Sequence, residues 1–230
     1  MQVRIDLHNH SCLSPCANDD LLPSLLAFEA MEQGIEILAL TDHNATENLR
    51  TFGQACEVCS IMPVFGMEVN TIEEVHLLVL FEAVDPAIEF GAWIQSTLPP
   101  LPNRADRFGH QIICDGLGTT VEEFPLLLAT ASSLSFDEVV LRGLEAGALV
   151  IPAHIDRPSS SVLANLGFLP DLPYTALEML RPTEQKWTVI TASDAHSLGE
   201  VGTRSCTIEL DEVSWEALKR GLSDQRNVRF

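Results

Sequence analysis

Short apolar runs alternate with segments of helical spacing along most of the chain. Val3-Arg4-Ile5-Asp6-Leu7-His8 alternates strictly and predicts a strand. Leu21 to Gly34 has helical spacing, with Asp19 and Asp20 placed to cap it and Gly34 placed to end it. Ile35 to Leu40 predicts a buried strand, and Ala45 to Ser60 a helix. Met62 to Gly66 and Val75 to Phe81 predict strands, and Asp85 to Thr97 a helix. Leu98-Pro99-Pro100-Leu101-Pro102-Asn103 can only be a loop. Gln111 to Cys114 predicts a short strand ended by Asp115-Gly116. Val121 to Ala131 and Phe136 to Gly147 have helical spacing. Strands are expected at Leu149 to Ala153, Leu177 to Leu180, Thr188 to Ala192 and Thr207 to Leu210, with a closing helix at Val213 to Leu222.

Strand-then-helix repetition calls for a parallel sheet with helices outside. Seven or eight strands in this length fit a closed α/β barrel better than an open sheet. The expectation is one domain over residues 1–230, with the Pro-rich loop opening an excursion across residues 82–138.

Composition narrows the function. Thirteen Lys and Arg stand against 33 Asp and Glu, a formal charge of −20. Such a surface repels phosphate backbones at long range, which disfavours long nucleic acid and polybasic membrane binding. It leaves room for a small phosphorylated substrate held by local cations. No apolar run approaches the roughly 20 residues that span a bilayer, and the first residues read as a strand, so a cytoplasmic location is expected. The six cysteines are then reduced thiols. Cys56-Glu57-Val58-Cys59 lies in a helical pattern without a second pair and reads as two packed cysteines.

The chemistry gathers on histidine. Six of the seven histidines (8, 10, 43, 76, 154 and 196) fall in or just after predicted strands, and a carboxylate joins them in Gly66-Met67-Glu68. In α/β architectures these strand ends converge on one rim. Imidazole and carboxylate bind Zn²⁺, Mn²⁺ or Fe²⁺. His8 and His10, two apart, share a face and can grip one ion, and Asp194 with His196 repeats that spacing. Random placement of seven histidines gives only about 0.2 His-x-His pairs, so one pair is weak and the joint pattern carries the weight. Asp6 is expected to orient an imidazole from behind, and Asp42 to do the same for His43. Arg157, next to His154, is a candidate to meet a phosphate oxygen bidentately, with Arg204 a weaker one. His110 lacks such a context and reads as structural or exposed.

The order of Asp6-Leu7-His8-x-His10, Thr41-Asp42-His43-Asn44, Gly66-x-Glu68, Val75-His76, Ala153-His154 and Ser193-Asp194-x-His196 resembles the PHP family, the polymerase and histidinol phosphatase domain. The resemblance implies a distorted TIM-like barrel of seven parallel strands and a cluster of two or three divalent ions. It implies that His8, His10 and Asp194 hold one ion, that Glu68 bridges to a second bound by His76 and His154, and that His43 and His196 bind a third. After Ser11-Cys12-Leu13-Ser14, many members offer an Asp or His, but here the run is Pro15-Cys16. Proline cannot ligate. A Cys16 thiolate would favour zinc or iron over magnesium.

Two cations sharing Glu68 would lower the pKa of a water between them and supply hydroxide at neutral pH. With Asp194 and Arg157 completing the site, the expected activity is metal-dependent hydrolysis of a small phosphorylated metabolite or nucleotide. The alternatives are a 3′–5′ exonuclease of the same family, an amidohydrolase and a metal-binding regulatory protein without turnover. Many amidohydrolases bridge their metals with a mid-barrel carboxylated lysine, whereas the two lysines here, Lys186 and Lys219, both come late.

Overall fold

The computed structural model describes residues 1–116, 119–224 and 228–230. The strands are β1 (Gln2–Asp6), β2 (Ile37–Leu40), β3 (Met62–Asn70), β4 (His76–Phe81), β5 (Ile112–Cys114), β6 (Thr120–Glu123), β7 (Leu149–Pro152), β8 (Leu177–Glu178), β9 (Val189–Ile190), β10 (Cys206–Glu209) and β11 (Val228–Arg229). The helices are α1 (Pro23–Glu32), α2 (Leu49–Cys59), α3 (Val84–Gln95), α4 (Ala105–Phe108), α5 (Phe136–Glu145), α6 (Val162–Asn165) and α7 (Trp215–Ser223).

Seven strands form a curled sheet in the order β11-β10-β1-β2-β3-β4-β7. The short parallel pair β8–β9 spans the gap between β7, at one end of this sheet, and the chain that follows β1, three strands in from the other. Thr175 N–H donates to Val150 O and Ile155 N–H to Glu178 O on one side, both at 2.9 Å. On the other side Asp194 N–H donates to His8 O at 2.8 Å, and His10 N–H to Ala195 O at 3.0 Å. The result is a distorted TIM-like barrel in a single domain.

Its strands are not all parallel. β4 runs antiparallel to both β3 and β7, because Thr71 to Val75 is a tight link between β3 and β4. A parallel crossover needs a dozen or more residues, so so short a connection makes a hairpin. Gly66 lets the hairpin close: a Cβ there would run into Val79 O and Leu80. The reversal has a functional consequence. It puts the first residue of β4, His76, opposite Asn70 at the rim where the other strands end.

Residue alternation separates two cores. Ile37 and Ala39, Leu78 and Leu80, and Leu149 and Ile151 pack in one layer with Val3, Ile5 and Val64, to which α7 adds Trp215, Leu218 and Leu222. The intervening Leu38, Leu40, Leu77, Val79 and Val150 pack instead against α1, α2, α3 and α5. Both faces are buried, which is why these strands read as unbroken apolar runs.

Val121 to Ala131 is not the helix its spacing predicts. Thr120–Glu123 pairs with Ile112–Cys114 as an exposed hairpin, and irregular chain follows. Pro125 offers no amide to continue a helix. Asn48 of the helix-side loop anchors this excursion, donating to Ile112 O at 3.0 Å and accepting from Cys114 N–H at 3.1 Å. The Cys56/Cys59 pair lies on α2, with Cys56 buried in the helix–barrel core and both thiols free.

Candidate metal centre

All nine of the residues the sequence singles out for metal binding come to one rim of the barrel. His8 and His10 follow β1, His43 follows β2, Glu68 lies near the end of β3, and His76 begins the reversed β4. His154 follows β7, while Asp194 and His196 follow β9. Cys16 borders the cavity lined by His43, Glu68, His76 and His196.

Glu68 is the hub. It is 1% exposed, and five imidazoles surround it. Oε1 lies 2.7 Å from His76 Nδ1, 3.2 Å from His8 Nε2 and 3.2 Å from His154 Nε2. Oε2 lies 2.9 Å from His43 Nδ1 and 3.4 Å from His10 Nε2. Asp194 Oδ1 approaches His10 Nε2 at 3.2 Å and His8 Nε2 at 3.3 Å. Among the described residues, three ligand groups emerge, each with donor atoms within 4.8 Å of one another: His8, His10, Glu68 and Asp194; His43, Glu68 and His76; and His10, His43 and His196. His10 and His43 are each shared between groups, and His154 reaches Glu68 from beside them.

These groups fit divalent cations. His8 Nε2, His43 Nδ1 and Glu68 Oε2 are buried and close together, yet none makes a directed hydrogen bond. Buried polar atoms are ordinarily paired. Atoms that converge on a common point without pointing at one another are placed for an ion between them, and the N/O donor set suits zinc, manganese or iron.

The electrostatics agree. Burial would raise the Glu68 carboxyl, but His76, His8 and His43 hold it well below the usual range. Burial likewise opposes ionised Asp194, and His8 and His10 override it downward. Burial disfavours charge on His8, yet Glu178, Glu68 and Asp194 lift it well above the ordinary imidazole value. On His43 the same burial is outweighed by Glu68 and Cys16, giving about 10. His76 goes the other way: burial wins over Glu68 and brings it to about 4. Desolvation at the rim opposes the Cys16 thiolate although the residue itself reaches solvent, and His196 and His43 outweigh it and hold the thiol at about 5. The rim therefore demands positive charge, which protons satisfy when no cation does.

Supporting residues fix which nitrogen faces the centre. His8 Nδ1–H donates to Glu178 Oε2 at 2.9 Å, leaving Nε2 toward Glu68 and Asp194. The same oxygen accepts from His154 N–H at 3.2 Å. Glu178 is fully buried, and no motif marked it; the one signal was a carboxylate inside the apolar run Ala176-Leu177-Glu178-Met179-Leu180. His196 Nδ1–H donates to Asp194 O at 2.7 Å.

The expected roles of Asp6 and Asp42 need correction. Among the described residues, Asp6 has no hydrogen bond to an imidazole. It accepts from Ser193 N–H (3.0 Å), Ser193 Oγ–H (2.5 Å) and Gly202 N–H (3.2 Å), pinning the turn that carries Asp194. Asp42 accepts from Ser11 N–H, Ser11 Oγ–H and Ser14 Oγ–H, each at 2.7 Å. With its proton given to Asp42, Ser14 Oγ accepts from His10 Nδ1–H at 2.9 Å and His43 N–H at 3.1 Å. Asp42 thus orients His10 through Ser14, not His43 directly.

Backbone strain marks the same place. Asn44, His154 and Asp194 all have positive φ, 49°, 31° and 50°. The Asn44 amide is held by Leu128 O at 2.8 Å and Thr130 O at 3.0 Å, tying the excursion to the rim. Arg157 Nη1 donates to Asp194 Oδ2 at 3.2 Å from a partly exposed position, whereas Arg204 donates to Leu180 O at 2.6 Å. His110 pairs with Glu123 at 2.8 Å on the surface, away from the cluster. Among the described residues, no helix is long and apolar enough to cross a membrane.

Comparison with known proteins adds the following. The family profile described as the PHP domain matches residues 6–141. No curated protein sequence matches. Among solved structures, the endonuclease Q of Pyrococcus furiosus superposes with a TM-score of 0.71 at 17% identity, covering 100% of this chain and 57% of that one. The chain thus spans little more than half the length of that enzyme. A Bifidobacterium adolescentis protein provisionally described as a metal-dependent phosphoesterase gives a TM-score of 0.58 at 19% identity, covering 85% of this chain and 88% of that one. An amidohydrolase from Chromobacterium violaceum, solved with bound sulfate, gives 0.55 at 17% identity, covering 87% and 90%.

Proposed function

The chain belongs to the PHP domain family, and from that premise we propose that it is a metal-dependent phosphoesterase acting on a small phosphorylated metabolite or nucleotide. The proposed ligands of two or three zinc, manganese or iron ions are His8, His10, Cys16, His43, Glu68, His76, His154, Asp194 and His196. The observation that carries this reading is Glu68: one buried carboxylate whose two oxygens face different sets of imidazoles, as a bridge between cations requires. Cations held there supply an acidified water and neutralise phosphate oxygens.

The chain's own groups do the rest. Asp194, kept ionised, aligns His8 and His10 and holds Arg157 at the cavity mouth. Arg157 can turn its guanidinium from Asp194 to a phosphate oxygen, where its charge orients the ester for attack. Among the described residues, Arg204 is the other arginine lining the cavities at the cluster, and so small a cationic complement, in a chain of −20 charge with two lysines, supports a small substrate over a long strand. Nucleic acid is the second reading, favoured by the superposition of endonuclease Q on the whole chain; a solved complex of that enzyme holds a 27-mer duplex with an abasic lesion at its active site.

The test is a screen of phosphomonoesters, dinucleotides and longer oligonucleotides with added Mn²⁺, Zn²⁺ or Fe²⁺, alongside metal analysis. Glu68→Ala and His8→Ala should each lose metal and turnover while keeping the wild-type circular dichroism. Retained turnover in either rejects the site. Long strands cut faster than every small ester would favour the nuclease. Bound metal with no turnover across the panel would favour a regulatory protein.

A further inference from the structure

Two thiols meet where the excursion is fastened to the loop after β1. Ile112 N–H donates to Cys12 O at 2.8 Å, and Cys12 Sγ–H donates to Ile112 O at 3.6 Å. The buried Asn48 amide lies against both sulfurs, with Nδ2 3.8 Å from Cys12 Sγ and Oδ1 3.7 Å from Cys114 Sγ. The two sulfurs are also within hydrogen-bonding reach of each other. That contact pushes the Cys12 thiol up, with burial adding to it, and draws the Cys114 thiol down against burial. Both thiols are free, at 1% and 4% exposure, and neither lines the cavities at the metal-ligand cluster.

We infer that Cys12 and Cys114 are a redox-modification site: oxidation by a low-molecular-weight disulfide joins them and clamps the excursion onto the loop that carries Ser14 and Cys16. The inference stands apart from the phosphoesterase reading. Three observations support it. Ile112, two residues before Cys114, is already paired with Cys12 through the backbone, so joining the sulfurs calls for side-chain rotation and not for chain movement. The attachment is otherwise light. β6 is exposed along its length, and β5 is held to the barrel side by Cys12, Asn48 and Thr51, whose Oγ1–H donates to Cys114 O at 3.0 Å. Opening of so lightly held a hairpin admits the oxidant, and a covalent bond there removes that opening. Finally, the pair adjoins the support of the cluster. Asn48 Nδ2–H also donates to Ser11 Oγ at 3.0 Å, and Ser11 and Ser14 both donate to Asp42, through which His10 is oriented. The clamp holds this loop where its ligands already converge, so it fixes the excursion without displacing the cations.

In the reaction, Cys114 gives up its proton and its sulfur attacks one sulfur of the small disulfide, expelling a thiolate. Cys12 then gives up its proton and attacks the Cys114 sulfur of the mixed disulfide, expelling the second thiolate. Two electrons pass from the cysteines to the small disulfide, which leaves as two thiols carrying the two protons.

The experiment equilibrates the metal-loaded protein with excess glutathione disulfide, quenches with acid, then alkylates after denaturation. Two fewer thiols should react than the six of the reduced protein, and digestion should yield a peptide joining Cys12 to Cys114. Cys12→Ser and Cys114→Ser should each lose that peptide. Hydrogen exchange on the wild-type chain in both redox states, which needs no variant to fold, should slow by about tenfold at Ile112–Cys114 and Thr120–Glu123 on oxidation and recover with dithiothreitol, with metal content unchanged. Six reactive thiols after equilibration, or a linkage that forms only in urea-unfolded protein, overturns the inference. A linked pair with unaltered exchange overturns the clamp. None of these outcomes bears on turnover, so the phosphoesterase reading is tested separately.

Discussion

Glu178 makes the sharpest prediction, because no motif marks it and its one sequence signal is a carboxylate within an apolar run. Its Oε2 takes two protons, from His8 Nδ1 at 2.9 Å and from the His154 amide at 3.2 Å, while its Oε1 is buried without a partner. Glu178→Gln preserves size and keeps an oxygen for those donors. It removes the negative charge behind His8 and puts an amide NH₂ where Oε1 lies unpartnered. Losing an outer partner of a metal-bound histidine typically weakens metal affinity by about 10–100-fold, or about 1.4–2.7 kcal/mol. The unpaired buried NH₂ should cost the fold a further ~1–3 kcal/mol. Competition against a chromogenic chelator measures the first quantity, and denaturant unfolding of the metal-free protein the second. Folded Glu178→Gln protein that binds Zn²⁺ within about threefold of wild type would refute the reasoning, since Glu178 would then not tune His8.

Four further outcomes are expected. Cation binding at neutral pH should release at least one proton, because His43 is held at about 10 and His8 well above its usual value in the metal-free protein; calorimetry in buffers of different ionisation enthalpy would show buffer-dependent heats, and buffer-independent heats would contradict the protonated rim. In the same metal-free state, the stabilisation from His43, raised above its ordinary 6.5, is complete below that pH and lost as pH rises through about 10, whereas that from His76, depressed to about 4, is present above 6.5 and lost as pH falls toward 4. Cys16→Ser should abolish a sulfur-to-metal charge-transfer band in the Co²⁺-substituted protein and weaken its preference for zinc over manganese; an unchanged spectrum would remove Cys16 from the ligand set. Arg157→Ala should lower kcat by about 100-fold with metal content retained, and an unaltered kcat would show that Arg157 serves only as a partner of Asp194.

Much of this molecule is legible from its chain because the barrel buries both strand faces and gathers ligands at strand ends. His8, His10, His43, His154, Asp194 and His196 each follow a short apolar run, and that placement alone implies a shared rim. Strand direction is less visible, since period-two alternation has no sense of direction. For β4 the clue was the brevity of the link after Asn70, which allows only a hairpin. The Thr120–Glu123 strand was hidden because its partner across the excursion is set by Asn48 and Cys12, not by local spacing. Supporting carboxylates were the hardest. Asp6 and Asp42 stand beside histidines in sequence, but the sharp turns after the strands aim them at Ser193 and Ser14. Glu178, more than 100 residues from His8, meets it only because β8 closes the barrel beside β7.

The central claim is that Glu68 bridges cations. Anomalous diffraction from crystals of the metal-loaded protein, recorded on either side of the zinc, manganese and iron edges, tests it most directly. At least two peaks should lie within about 2.0–2.3 Å of Glu68 oxygens, one of them also bound by His8, His10 and Asp194. A single peak distant from Glu68, or none at this rim in protein that chemical analysis shows to be loaded, would contradict it.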